Sequence, residues 1–359
     1  MTNSNKTKSS KKGSYIGVVG DLHFRRSLGY AELIEDNRIS EKKETLDLIV
    51  ESFKDCNTIV FLGDQLNGRN NLSVVIKEFV QFIERFNDKE VYIIAGNHEV
   101  YGDGKSALDF LKEIKNPKRH IITKTVEKAR IGPLQAVLCP YFTKSELGTD
   151  SNKEATEMVM GKLDKGDILF VHHTISDTFT NSGIQTNIFN EVVLPKSDLF
   201  KKYKIVFGGH IHKPQNIEDK LIIAGSVFTN EVGEKDKYVW KLDPSDLSVE
   251  SIRLPVRPII KMENPEFLGE TVPANGIIKI ILTDKKKYRG KLDELKDSFK
   301  IALKDGAFII LEQYPNTRKK VHFEEGMLEF NVEDLLGVYA KQKKVDHKKL
   351  LRGWEIINK

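Results

Sequence analysis

The chain has 359 residues, 39% apolar and 30% charged, with a net charge of +5, which excludes a fibrous or low-complexity protein and leaves room for about two domains. The positive charge is mild and mixed with acids, so it does not by itself mark a nucleic-acid binder. Two distant cysteines, Cys56 and Cys139, exclude a disulfide scaffold and fit a reducing, cytoplasmic setting, and no apolar run is long enough to span a bilayer.

Residues 1–13 are polar and lysine-rich with no apolar core, so a secretory signal is not expected and a disordered basic tail is. Tyr15 to Gly20 is a short β-branched run, predicted to be a buried strand. Helical spacing follows over Glu41 to Lys54, a strand over Thr58 to Leu62, a helix over Leu72 to Phe86 and a strand over Glu90 to Ala95. Strands alternating with helices predict parallel pairing through crossovers. A shorter helix is expected over Ser106 to Ile114, strands at Leu134 to Cys139 and Ile168 to Val171, and a helix over Glu154 to Leu163. From residue 200 onward the runs KIVFGG, KLIIAGS, KYVWKLD and SVESIRLP lie close together, which predicts a second, more antiparallel sheet packed on the first. Pro255 to Pro258 marks a boundary. GIIKIILT, KLDELKDSFKIALK and AFIILEQYP then read as strand, helix and strand, and two amphipathic helical stretches close the chain.

Five polar motifs each end an apolar run: Asp21-Leu22-His23, Gly63-Asp64, Gly96-Asn97-His98-Glu99, His172-His173 and Gly209-His210-Ile211-His212. In open α/β sheets ligands bind outside the carboxyl ends of strands, so the five should meet at one edge. Asp21 with His23, and His210 with His212, are two apart in extended chain and can point to one side. A carboxylate and two imidazoles can ligate one cation; Asp64 is placed to bridge to a second, which Asn97, His172 and His210 complete. Such a pair of divalent ions implies phosphate-ester hydrolysis. Each motif alone is weak, and the ordered set carries the signal. Its oxygen and imidazole donors suit Mn2+ and also admit Mg2+, Fe2+ or Zn2+.

The ordered motifs resemble those of the calcineurin-like metallophosphoesterase superfamily over residues 15 to 255. The resemblance implies an α/β (α+β) fold, a four-layer α/β/β/α sandwich. Within the superfamily the chain looks most like SbcD-type double-strand-break-repair nucleases, including phage-encoded versions. Gly225-Ser226, a strand with Trp240, the strand–helix–strand after Arg257-Pro258, and a tail with Asp334-Leu335-Leu336 and Tyr339 carry that likeness. It divides the chain into a nuclease domain (14–255), a small α/β capping domain (256–320) and a helical partner-binding tail (321–359). It implies that Asp21, His23, Asp64 and His212 hold one metal and that Asp64, Asn97, His172 and His210 hold the other. His98 would protonate the leaving oxygen or stabilise the transition state, Glu99 would orient a ligand or His98 itself, and His173 would take a supporting or structural role. Manganese is the favoured metal. DNA, an SMC-like (SbcC-type) ATPase and a second copy of the chain are the implied partners.

One departure stands out: these nucleases carry a histidine three residues after the bridging aspartate, where this chain has Asn67. Asn67 can hydrogen-bond a phosphate but carries no charged proton, which alters the expected exonuclease and endonuclease balance. Arg25, Arg26, Arg69 and Lys213 flank the motifs and are candidate phosphate contacts. A protein phosphatase or nucleotide phosphodiesterase would share the metal motifs but leave residues after 255 without a purpose. A non-catalytic DNA-end scaffold would be expected to lose ligands, and none is missing here.

Overall fold

The computed structural model describes residues 15–101, 104–188, 190–265, 272–303, 305–313 and 346. Contacts divide the chain into Met1–Glu312 and Gln313–Lys359. The expected basic tail and nearly all of the expected helical tail lie outside the described residues.

In chain order the strands are β1 (Tyr15–Val19), β2 (Cys56–Phe61), β3 (Glu90–Ile94), β4 (Arg119–Ile122), β5 (Glu127–Ile131), β6 (Leu134–Cys139), β7 (Ile168–Val171), β8 (Thr174–Ile175), β9 (Val193–Leu194), β10 (Ile205–Gly208), β11 (Gln215–Ile217), β12 (Leu221–Ile223), β13 (Tyr238–Leu242), β14 (Val249–Arg253), β15 (Ile259–Glu263), β16 (Ile277–Leu282) and β17 (Ala307–Glu312). One sheet runs β14-β13-β1-β2-β3-β4 and a second runs β11-β12-β10-β7-β6-β5. In the first, β1 to β4 are parallel, with helices Ile39–Ser52 and Ser73–Glu84 in the first two crossovers. In the second, β6, β7, β10 and β12 are parallel.

Period-two alternation builds the layers. Val18, Val60 and Leu62 face Leu138, Phe170 and Phe207 between the sheets. Val19, Ile59 and Phe61 point the other way, onto Ile49, Phe53, Phe79 and Phe82 of the first two helices. Leu169, Val171 and Val206 meet Ala155, Val159 and Leu199 from helices Asn152–Lys162 and Lys196–Lys202. The order is therefore helix, sheet, sheet, helix. Helix Ser73–Glu84 shows why: Val75, Phe79, Phe82 and Ile83 bury one stripe, each contributing roughly 1.5–3 kcal/mol. Trp240 packs in the inter-sheet layer, and its indole N–H donates to Ala224 O across the two sheets at 3.1 Å. Both cysteines are free and buried, as small apolar residues are.

Two expectations are corrected, and two strands were not foreseen. The strands after residue 200 do not make a separate antiparallel sheet. β10 and β12 join β7 in parallel, while β13 returns to pair antiparallel with β1, because partner choice depends on long-range burial rather than local spacing. The helix expected over Ser106 to Ile114 shrinks to Phe110–Glu113; Ser106 instead bridges Val100, and its amide donates to Asp109 Oδ2 at 2.8 Å. Strands β4 and β5, half exposed and short, carried no sequence pattern.

Beyond Pro258, β15, β16 and β17 form a parallel three-stranded sheet, with helix Leu292–Ala302 between the last two. This is the strand–helix–strand unit read from the sequence. Arg257 ties it inward: Nε donates to Glu41 at 2.9 Å, and one terminal nitrogen donates to Asn275 O and Asp305 O. Among the described residues no helix is long and apolar enough to cross a membrane.

Candidate metal centre

The five motifs converge. Asp21 and His23 follow β1, Asp64 follows β2, and Asn97, His98 and Glu99 follow β3; His172 follows β7, and His210 and His212 follow β10. Three neighbouring parallel strands of one sheet and two of the other thus present their carboxyl ends together. Three overlapping sets form: Asp21, His23 and His212; His23, Asp64 and His98; Asp64, His172 and His210, each with donor atoms within 4.8 Å of one another.

Asp64 is central. Its Oδ2 lies 3.4 Å from His172 Nε2 and 3.9 Å from both His23 Nε2 and His98 Nε2. Asn97 Oδ1 sits 3.1 Å from His172 Nε2 and 2.8 Å from His210 Nδ1. His23 and His212 bring their Nε2 atoms within 2.8 Å, close enough to share one proton or one cation. Close approach demands glycine at two points: a Cβ on Gly96 would fall 2.2 Å from Asp64 Oδ1, and Gly63 has φ +106 with His172 Nδ1 2.2 Å from such a carbon. His23, Asp64 and His210 themselves hold left-handed backbone, with φ of 44, 49 and 77, a conformation concentrated at functional sites.

The residues fit divalent cations. Asp21 Oδ2 is buried without a hydrogen-bond partner, a destabilising state for a carboxylate unless a positive charge accompanies it. Burial raises the Asp21 acid, and so does Asp64, against the pull of His172 and His212. Burial also disfavours the charged form of His172, but Asp64 and Asp21 outweigh it and hold the ring up at about 9. His23, desolvated beside two other imidazoles, falls to about 3.

Supporting groups fix which nitrogen faces inward. His172 Nδ1 donates to Leu62 O at 2.7 Å, leaving Nε2 toward Asp64. Glu191 accepts from His210 Nε2 at 3.2 Å, leaving Nδ1 toward Asn97. Glu234 lies 3.3 Å from His212 Nδ1, leaving Nε2 toward His23, and is itself held by the buried ammonium of Lys237 at 3.1 Å. Such carboxylate–imidazole pairs orient metal ligands. Sequence reading missed Glu191, Glu234 and Lys237, which sit in polar loops with no periodic signal. It also missed Tyr141, whose ring stacks on His173 at 4.8 Å. His173 Nε2 accepts the Phe142 amide at 3.1 Å.

Glu99 is a clamp. One oxygen accepts from the amides of Asp64 (3.0 Å) and Gly96 (2.8 Å), and the other accepts from Leu66 (2.7 Å). It thereby stitches the loop after β2 to the loop after β3. Burial and Asp64 push its acid up to about 8, while the Leu66 and Gly96 amides oppose them. In Glu99→Gln the amide NH2 cannot accept, so at least one buried N–H is orphaned. Chemical denaturation should show about 2–3 kcal/mol lost, with activity reduced through a displaced Asp64. An unchanged midpoint would deny the clamp.

His98 lies at the rim, its side chain 41% exposed. Its Nδ1 donates to the main-chain oxygen of Asn67 at 3.0 Å, so Asn67 holds the imidazole through its backbone while its side chain is exposed. Of the candidate phosphate contacts, Arg69 is exposed beside His98 with Nε on Val100 O at 2.6 Å. Lys213 is half-buried directly after His212, and Arg25 is half-buried. Arg26 instead lines a groove with Ile39 and Val74, between the first two helices.

With this geometry in hand, a family model described as calcineurin-like phosphoesterase matches residues 14–214, more than half of the chain and every motif residue.

Proposed function

The chain belongs to the calcineurin-like phosphoesterase family, and from that premise we propose that it is a two-cation phosphodiesterase acting on DNA. One observation carries the reading: Asp64 stands between an Asp21–His23–His212 set and a His172–His210 set drawn from two sheets. The first cation would sit with Asp21, His23, Asp64 and His212, the second with Asp64, Asn97, His172 and His210. When bound, two divalent ions neutralise phosphate charge and lower the pKa of water, with Mn2+ favoured by the mixed oxygen and imidazole donors.

The protein's own groups do the rest. Asn97 offers a neutral oxygen, so the second set carries less negative charge than the first. Glu191, Glu234 and the Leu62 carbonyl hold three imidazoles in the required tautomers. With Nδ1 engaged on Asn67 O, His98 exchanges its proton at Nε2, the nitrogen facing Asp64, and delivers it to the leaving oxygen.

An exposed His98 at an open rim supports a polymeric substrate over a small enclosed one. The strand–helix–strand unit after Pro258 supports the capping domain, 256–320, of a repair nuclease. The SMC-like ATPase partner and the homodimer belong to this proposal too; the partner-binding tail expected over 321–359 lies, but for residue 346, outside the described residues. Co-purification with a chain cut after residue 325 tests the ATPase contact, which is refuted if capture is undiminished.

The deciding experiment strips cations with a chelator, reloads Mn2+, Mg2+, Fe2+ or Zn2+, and offers single-strand, duplex and hairpin DNA beside a phosphoserine peptide. Metal-dependent DNA cleavage is expected; peptide dephosphorylation alone would replace the nuclease reading with a phosphatase. The stripped protein should also lose stability as pH rises from about 6.5 to 9. His172 is raised in the folded state to about 9 and Glu99 to about 8. Their contributions are full below the unfolded values and fade as pH climbs through the folded ones. His23, lowered to about 3, acts oppositely and removes stability as pH falls below 6.5. Reloaded protein should show a flatter thermal profile above pH 6.5, because a cation holds His172 neutral.

A further inference from the structure

We propose that the recess beside His98 seats the leaving group of the reaction, and that its turn, residues 67–71, selects an uncharged, hydrogen-bonding leaving group such as a nucleoside. The inference rests on the phosphodiesterase reading and deepens it, since it assigns residues to substrate choice at the same site.

The recess is an open depression of about 400 Å3 at the rim of the centre. Asn67, Gly68, Arg69, Asn70 and Asn71 form its wall, with His98 at the inner edge. The leaving oxygen must lie within reach of His98 Nε2 to take its proton, so whatever that oxygen carries falls into this recess. The wall is an anchored turn. The Asn67 amide donates to Phe24 O at 3.2 Å, Arg69 Nε donates to Val100 O, and the Tyr101 hydroxyl donates to Arg69 O at 2.9 Å. The Asn71 amide closes on Gly68 O. The turn shows solvent the amides of Asn67 and Asn70 and, between them, the guanidinium of Arg69.

The chemistry of that wall discriminates. Carboxamides donate and accept at once, which matches sugar hydroxyls and base edges, as asparagine does on adenine. A polyphosphate leaving group calls for several cations, and the wall has one, whose Nε is already engaged. A hydrophobic leaving group calls for apolar side chains in the lining, and the wall carries none. Gly68 keeps the floor low: a Cβ there meets no heavy atom within 4 Å and its φ is not left-handed, so the space is open rather than filled by neighbours.

That openness supplies the test. Gly68→Leu adds bulk at a position where a Cβ meets no neighbour, and Asn70→Ala removes an exposed amide; thermal denaturation of both should match the parent. Two substrates share a nucleoside on the retained side of the phosphate and differ only in what leaves: a dinucleoside monophosphate and a mononucleoside p-nitrophenyl ester. Gly68→Leu should lower kcat/KM for the dinucleoside at least tenfold relative to the nitrophenyl ester, mostly through KM. Asn70→Ala should lower that ratio about tenfold or less, the scale of one net hydrogen bond. Equal losses on both substrates, or none on either, overturn the leaving-group assignment. Failure of the parent protein to cleave either substrate with any cation instead overturns the phosphodiesterase reading, and this inference with it.

Discussion

Asp64→Asn is expected to abolish phosphodiester hydrolysis and to strip cation from both halves of the centre, while leaving the fold intact. Burial by itself would raise the Asp64 acid, yet His172, His23 and His98 together hold it well below the usual carboxylate range. It is therefore the anion that three rings face. Asparagine keeps the shape, accepts the left-handed backbone at φ 49, and can still receive the His98 amide now bound to Oδ1 at 2.9 Å. What it lacks is the second anionic oxygen turned toward His172 and His23. Losing that charge removes several kcal/mol of transition-state stabilisation, about 10³-fold in rate. Elemental analysis should find less than one cation per chain, with the melting midpoint of the chelated protein unchanged or higher. Full metal content with full activity would remove Asp64 from its bridging place.

The second large effect is at His98. His98→Ala should cut DNA cleavage by roughly 10²–10⁴-fold, the usual size of general-acid catalysis, with metal content and stability nearly unchanged, because the ring is partly exposed and sits at the rim. Cleavage of a p-nitrophenyl phosphodiester should suffer far less, since nitrophenolate departs without a proton. His98 also appears in one donor set, with His23 and Asp64, and its ring packs edge-on to His23 at 4.7 Å. A loss of metal in the alanine variant would therefore recast His98 as a ligand. Equal losses on both substrates would deny it the proton.

Much of the centre was legible in the chain because the chemistry repeats one local device. An apolar run ends, in four of the five cases with a glycine, and the polar residue follows at once. Asp21, Asp64, Asn97, His172 and His210 are all written this way, so the strand-end rule sufficed to gather them. Trp240 was noticed as part of a strand, but its sheet was not. β13 pairs with β1 more than two hundred residues away, and parallel or antiparallel pairing leaves no mark in a short β-branched run. The groups that orient the ligands were hidden for a related reason. Glu191 and Glu234 act from loops, where an acid looks like any solvated acid. Asn67 was read by its side chain, but it is its carbonyl that grips His98, and a main-chain role belongs to position rather than residue type. The helix expected after Ser106 failed where a side chain, Asp109, competes for backbone amides.

The three candidate ligands with left-handed backbone carry a last implication. His23, Asp64 and His210 each sit in a conformation that costs an ordinary residue about 1 kcal/mol or more and that surrounding packing must enforce. A lineage that abandoned catalysis would relax toward asparagine or glycine at these points, and valine or isoleucine would be purged there first. Transplanting the seven donors onto a foreign scaffold would fail for the same reason unless the three kinks travelled with them, since the shape of the chain is as much a part of the centre as its imidazoles and carboxylates.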